Sequence, residues 1–227
     1  MGFQEPHRDC DLCPRLRNFL LEKRQELPSY HNAPVPSFGD PAPKLLIVGL
    51  APGMHGANQT GRPFTGDWAG DLLYAAIAEY GFSEGTYGGT ADDGLILKGA
   101  MITNAVRCVP PQNKPVGAEC AACRPFLTDQ INSLTSVKAI LCLGKISHDN
   151  TVRAMGLRLR DYPFGHHKIY DLDGGRRLYS SYHCSRYNTN TKRLTEEMFY
   201  KVFADIRAYI NTPYSKLICT TKLNTLM

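Results

Sequence analysis

Long apolar runs are missing from this chain. The longest, Leu45–Leu50 and Ala139–Leu143, fall far below the roughly 18 residues that a membrane-spanning helix needs. The opening MGFQEPHRDC has no apolar stretch for a secretory signal. Pro6 stands where a myristoylation site wants Ser or Thr. Internal repeats are also absent. These absences set the expectation of a soluble, cytoplasmic protein without a membrane partner. Acidic residues are missing from two stretches, Gly94–Ala118 and Gly174–Arg193.

The 227 residues are 43% hydrophobic and 21% charged, close to globular averages. One domain over residues 1–211 is expected, with a tail at 212–227 that carries no evident structure. The net charge of +5 is mild. Its placement says more. The second acid-free stretch holds Arg176, Arg177, Arg186, Lys192 and Arg193, interleaved with Tyr179, Tyr182 and Tyr187. Basic groups mixed with aromatics suit a phosphate backbone, with stacking available for bases. Composition alone fits a solvated face with ordinary tyrosines better.

Eight cysteines are present. In a reducing compartment, clusters of them indicate metal, catalysis or burial. Cys142 lies in an apolar run and reads as core, and Cys219 lies in the tail. Cys10 and Cys13 form a C-x2-C pair, and Cys108, Cys120 and Cys123 form a second group. One four-thiolate set joins Cys10 and Cys13 to Cys120 and Cys123 and imitates a zinc site. Its halves stand over 100 residues apart, where a zinc ribbon expects about 15–20. The other set is Cys10, Cys13, Cys108 and Cys123, and its mixed spacing suits an iron–sulfur cluster. Spacing alone does not choose between them.

Periodicity predicts a helix over 14–27 within a segment, 10–43, that carries the first cysteines and ends in a Pro-rich linking loop, 28–43. Buried strands are expected at 44–50, 100–106 and 137–143, and further strands at 168–172 and 177–182. Helices are expected at 68–80, 116–134, 145–155 and after Thr195, which can cap the last one. Residues 85–93 read as a loop. Buried strands alternating with helices predict an α/β fold, three-layer α/β/α around a mostly parallel sheet. Ligands bind such sheets at the carboxyl ends of the strands. The loops 51–67, 104–115 and 183–193 fall there, and they are the Gly-rich or basic ones.

Three segments carry candidate chemistry. In GLAPGMHGANQTGRPFTGDWAG, residues 49–70, glycines and prolines permit an irregular backbone that approaches a ligand closely. Asp67 closes it, and a helix N-cap is the ordinary role for such an Asp. Phe64 reads equally as packing under the loop. Asn104 ends a strand, where an amide can offer both donor and acceptor to a flat ring; satisfaction by nearby backbone is the plainer reading. His183 ends another strand before the basic segment, and a lone His is more often structural.

The run Gly49-Leu-Ala-Pro-Gly53, then His-Gly-Ala-Asn58-x-Thr-Gly-Arg62-x-Phe64-Thr-Gly-Asp67, resembles the first motif of the family 5 (type B) uracil-DNA glycosylases. Thr103-Asn104-Ala-Val-Arg-Cys108 and Cys123-Arg-Pro-Phe-Leu127 look like the iron–sulfur segments of the family 4 and family 5 enzymes. His183-Cys-Ser185 is similar to the His-Pro-Ser motif that opens their DNA-intercalating loop, with Cys184 in place of Pro. Family 4 members carry Glu where Leu50 stands here. The resemblance spans about residues 8–210.

The resemblance implies a uracil-DNA glycosylase-like fold and a monomeric, monofunctional enzyme acting on double-stranded DNA, nucleoid-associated in a bacterium. Uracil and other deaminated bases, hypoxanthine and xanthine, would be its targets. Cys10, Cys13, Cys108 and Cys123 would hold a [4Fe–4S] cluster. Asp67, His183 and Asn104 would be catalytic. Phe64, Ala51, Gly53, Asn58 and Asn104 would bind the base. Ser185, Arg186, Tyr187, Lys192 and Arg193 would engage DNA. A uracil-specific family 4 type enzyme and a non-catalytic iron–sulfur lesion binder are the rival expectations.

Overall fold

A computed structural model describes residues 2–212. The first helix, α1 (Pro14–Glu26), begins with Pro in its first turn, where the missing N–H would be unpaired anyway. A short strand, β1 (Phe38–Gly39), precedes β2 (Leu45–Gly49). Next come α2 (Ala57–Thr60), α3 (Trp68–Glu79), β3 (Ser83–Glu84), β4 (Ile96–Leu97) and β5 (Ala100–Asn104). The second half holds α4 (Gly117–Ser133), β6 (Ala139–Leu143), α5 (Lys145–Ala154), β7 (Lys168–Leu172), β8 (Arg176–Ser181), α6 (Arg186–Asn190) and α7 (Glu196–Asn211). Thr195 caps α7, its hydroxyl accepting from the Met198 N–H at 3.1 Å.

The main sheet runs β1-β5-β2-β6-β8-β7. Its four inner strands, β5, β2, β6 and β8, are mutually parallel. The edge strands β1 and β7 are antiparallel to their neighbours. Alternate residues of the inner strands serve two cores, because successive side chains point to opposite faces. Leu45, Ile47, Ile102 and Leu141 pack with α3 and α7. Leu46, Val48, Met101 and Ile140 pack with α4 and α5. Burial on both faces explains why these strands read as continuous apolar runs. The layers are therefore α/β/α, as expected.

Three local expectations need correction. The segment 183–193 is not wholly loop: it contains α6, which buries no residue and so leaves no apolar stripe in the sequence. The linking loop 28–43 contains β1. The loop 85–93 is the tip of the β3–β4 hairpin. The expected tail, 212–227, and Cys219 lie outside the described residues, apart from Thr212. Among the described residues no helix is long and apolar enough to cross a membrane.

Candidate active site

Gly49, Asn104, Gly144 and His183 sit at or just beyond the carboxyl ends of the parallel strands β2, β5, β6 and β8. Helix α3, which follows β2, covers one face, and α5, which follows β6, covers the other. Chain direction thus splits between β2 and β6, and such a split opens a crevice.

Phe64 and Asn104 converge on Gly49. A Cβ on Gly49 would lie 2.3 Å from Asn104 Oδ1 and 2.6 Å from the Phe64 ring, so only glycine fits. Phe64 is buried and holds a left-handed φ of 54°, a conformation uncommon away from glycine. His183 stacks beside it, with ring centroids 5.8 Å apart and planes 26° apart. Asn104 is 2% exposed, and its Oδ1 has no hydrogen-bond partner. A buried orphan acceptor at a strand-end crevice is poised for a ligand donor. Asn58 Oδ1 is also buried and unpartnered, while its Nδ2 donates to Asn32 Oδ1 at 2.9 Å.

Asp67 caps α3: its Oδ1 accepts from the Gly70 N–H at 3.2 Å. The ordinary cap role is therefore present. The second oxygen faces elsewhere. A Cβ on Gly56 would come within 2.6 Å of Asp67 Oδ2, and one on Gly53 within 3.2 Å. Burial raises the Asp67 pKa, and the Gly70 and Ala69 amides oppose that rise. Among the described residues, the N–H groups of Ala51 and Gly53 have no protein acceptor. Burial pushes the His183 pKa down to about 4, so the ring is neutral at physiological pH. Neither His183 ring nitrogen has a hydrogen-bond partner among the described residues, which leaves its N–H for a ligand.

Cys184, in the Pro position of the motif, is fully buried, and its thiol donates to the Ala69 carbonyl at 3.4 Å. Burial raises its pKa, and the Asp67 charge adds to the rise. Ser185 opens α6 as its N-cap residue. Arg186 and Tyr187 project from α6, with Tyr187 72% exposed. Lys192 and Arg193 are exposed beyond it, and the Arg193 guanidinium lies 4.6 Å from the Tyr182 ring centroid.

Arg62 was not singled out by the sequence, although it lies within the first motif. Its guanidinium pairs twice with Asp93, Nη1 to Oδ1 and Nη2 to Oδ2, both at 2.7 Å. The two side chains are 4% and 5% exposed. Arg62 also lies 4.9 Å from the Phe38 ring centroid. Tyr87 donates to the Phe64 carbonyl and accepts from the Gly66 N–H, both at 3.3 Å. The hairpin tip thereby clamps the loop that presents Phe64 and Asp67. Asp93 lies in a Gly/Thr/Asp stretch with no pattern linking it to Arg62, so the pair is visible only in three dimensions. The Arg62 hydrogen bonds hold the Asp93 pKa well below the ordinary carboxylate range. Removing one member of a buried pair strands its partner, so Asp93→Ala should lower the unfolding free energy by about 3–5 kcal/mol in urea melts. The clamp's contribution is present above the ordinary carboxylate pKa and is lost as pH falls through the depressed one. An unchanged melt would show that Arg62 finds water or another partner.

Cys10, Cys13, Cys108 and Cys123 line a single pocket, together with Arg17 and Phe126. Cys120 does not line it, but packs with Leu16 and Val106, which do, in a small core that Cys13 and Cys108 also border. Cys13 is pushed up to about 11, first by burial and then by Cys123. Cys108 is raised likewise, by burial first and then by Cys123, Cys10 and Cys13. Cys13, Cys108 and Cys123 are each raised by burial and in part by neighbouring thiols, and a shared cationic group would deprotonate them together. Among the described residues no three His, Cys, Asp or Glu groups are close-set enough for a single metal ion. Four thiols on one pocket are the donor set that a thiolate-held iron–sulfur cluster takes. Arg107, which the sequence groups with Lys98 and Lys114 as basic residues of the acid-free stretch 94–118, is buried and backs the pocket. Its N–H donates to Cys123 Sγ at 3.4 Å, and its fully buried guanidinium donates to Ser37 and Gln130 at 2.7 and 2.8 Å.

Fold and site together define an α/β protein whose strand-end crevice joins an aromatic ring, an unpaired amide, a buried carboxylate and a neutral imidazole. Residues 36–207 match the Uracil DNA glycosylase superfamily. The chain is 43% identical over 203 residues to a Type-5 uracil-DNA glycosylase of Thermus thermophilus, covering 87% of this chain and 92% of that one. It is 39% identical over 206 residues to a Type-5 uracil-DNA glycosylase of Mycobacterium tuberculosis, covering 87% and 77%. A Type-4 uracil-DNA glycosylase of Pyrobaculum aerophilum is 34% identical over 162 residues, covering 70% and 68%. The chain belongs to the uracil-DNA glycosylase superfamily and groups there with the type-5 proteins.

Proposed function

We propose that this chain is a monofunctional DNA glycosylase that hydrolyses the N-glycosidic bond of uracil, and of deaminated purines, in double-stranded DNA. The observation that carries this reading is the unpartnered Asn104 Oδ1 beside the Phe64 ring and the free His183 N–H. A base flipped out of the stack needs a stacking face and hydrogen-bonding edges. Phe64 supplies the face and Asn104 the edge. With few side-chain readers in the slot, several deaminated bases would be accepted.

The reaction breaks the bond between C1′ and the base nitrogen, and the electron pair leaves with the base. The sugar becomes cation-like until water adds to C1′ and loses a proton. Asp67 Oδ2 opposes the sugar's charge and orients that water. His183 donates to the base oxygen where negative charge appears. One such donor supplies about 2.7–4 kcal/mol of transition-state stabilisation. The N–H groups of Ala51 and Gly53 are further donors, and Asn58 borders the same loop. Ser185, Arg186, Tyr187, Lys192 and Arg193 meet the duplex. A [4Fe–4S] cluster on Cys10, Cys13, Cys108 and Cys123 would supply cross-linking, joining the segment before α1 to the 104–127 region.

Incubation with a uracil duplex, followed by alkali, should reveal abasic-site cleavage. Silence with every deaminated base would favour the lesion-binding alternative. His183→Ala should slow single-turnover excision about 10²–10³-fold. Because His183 is neutral above about pH 4, the wild-type rate should not change through the ordinary histidine range. It should fall in acid as the raised Asp67 pKa is crossed. A limb near the ordinary histidine value that vanishes in His183→Ala would refute the neutral-donor role.

A further inference from the structure

Helix α6 has little to hold it. Its five residues bury no side chain, and Ser185 makes no side-chain cap bond. So short a helix is not stable by propensity alone. Most of its hydrogen bonds are local: Asn188 Nδ2 donates to the His183 carbonyl at 2.8 Å, and the Leu194 N–H to the Asn188 carbonyl at 3.0 Å. Among the described residues, one hydrogen bond ties α6 to a distant part of the chain. It runs from Trp68 Nε1 to Thr189 Oγ1 at 3.2 Å. The Arg186 guanidinium lies over the same indole, 5.6 Å from its centroid. Trp68 is half exposed, at 50%, so no core role explains so large a ring there. It directly follows Asp67 and stands in the first turn of α3. Trp68 thus touches α6 at two points from a frame continuous with Asp67.

We infer that Trp68 is a positioning residue for DNA engagement. Its N–H fixes Thr189 and its ring face holds Arg186, so that α6 meets the duplex already aligned with the carboxylate next door. This rests on the glycosylase reading for the alignment of Asp67 with the reacting sugar. The link between Trp68 and α6 stands without it. Holding Arg186 in place removes ordering that binding would otherwise have to supply.

The chain has one tryptophan, so its emission reports this contact directly. The test uses the full chain. Thr189→Val and Arg186→Ala, without DNA, should each shift the Trp68 emission. Trp68→Ala should weaken binding to both uracil-free and uracil duplexes by about tenfold. The loss in affinity should exceed the loss in excision rate at saturating DNA. Trp68→Phe keeps a ring beneath Arg186 and should recover part of the affinity. In a double-mutant cycle, Trp68→Ala and Arg186→Ala should cost less together than the sum of the two singles, because they act through one contact. Additive losses would mean that Trp68 contacts DNA on its own and would overturn the inference. So would emission indifferent to both α6 variants. Should Trp68→Ala melt early, Thr189→Val alone carries the binding arm, and wild-type affinity there would also overturn it. A wild-type protein that excises no base, yet shows the emission shifts and the coupling, would fail the glycosylase reading while keeping the Trp68–α6 link.

Discussion

Asp67→Asn should cut single-turnover base excision by orders of magnitude while duplex affinity survives. The variant separates the observed cap role of this side chain from the catalytic role proposed for it. As a cap, Asp67 accepts from the Gly70 N–H through Oδ1, and Asn caps about as well as Asp. As a catalytic group it needs the charge on Oδ2, which faces Gly53 and Gly56, and Asn removes that charge. Stability adds an independent check. Burial raises the Asp67 pKa, so the native state disfavours its ionised form. A group raised in this way stabilises the fold below its unfolded pKa, and that contribution is lost as pH rises through the folded one. At neutral pH, therefore, Asp67→Asn should melt no lower than the wild type, and the difference should shrink in acid. An active site that holds charge against its own stability is expected to show this trade. Near-wild-type excision by Asp67→Asn would remove the carboxylate from the mechanism and leave Asn58 and Asn104 to orient the water.

Cys108→Ala should yield colourless protein that lacks iron and sulfide, while Cys120→Ala should stay brown. The two thiols are treated alike by composition. The pocket separates them, because Cys108 lines it with Cys10, Cys13 and Cys123 and Cys120 does not. Loss of the cluster should also release the segment before α1 from the 104–127 region, read as early proteolysis near residue 10. Asn104 and Cys108 lie on one short stretch after β5, so DNA affinity should fall with the cluster. Iron content that follows Cys120 instead of Cys108 would revive the zinc-like pairing. Both variants retaining iron would remove either cysteine from the ligand set.

Cys108 and Cys120 differ in how the structure places them. Cys120 and Cys123 form the local C-x2-C and lie only about 60° apart on α4, so the spacing brings both near one face, yet Cys123 lines the pocket and Cys120 does not. Cys123 looks toward the pocket, where the Arg107 N–H meets its sulfur. Cys120 packs against Leu16 and Val106. No spacing rule contains that information, which depends on what packs around α4.

Local pattern determined a good deal of this protein by itself. Apolar runs placed β2, β5 and β6, because strands buried on both faces need nothing but apolar residues. The stripe from Phe199 to Ile210 placed α7. The strand-end positions of the Gly-rich segment, Asn104 and His183 were legible because strand ends in a parallel sheet share one edge. The tertiary structure alone decided the rest. Helix α6 buries nothing and so leaves no periodic trace. The Arg62–Asp93 clamp joins residues 31 apart across a hairpin tip, and the Trp68–Thr189 bond spans 121 positions. Gly49 is needed because Asn104 and Phe64 arrive beside it from elsewhere in the chain. Period and composition report the forces acting on a residue from its own element. Contacts that position a site come from other elements, and their geometry exists only once the sheet has closed.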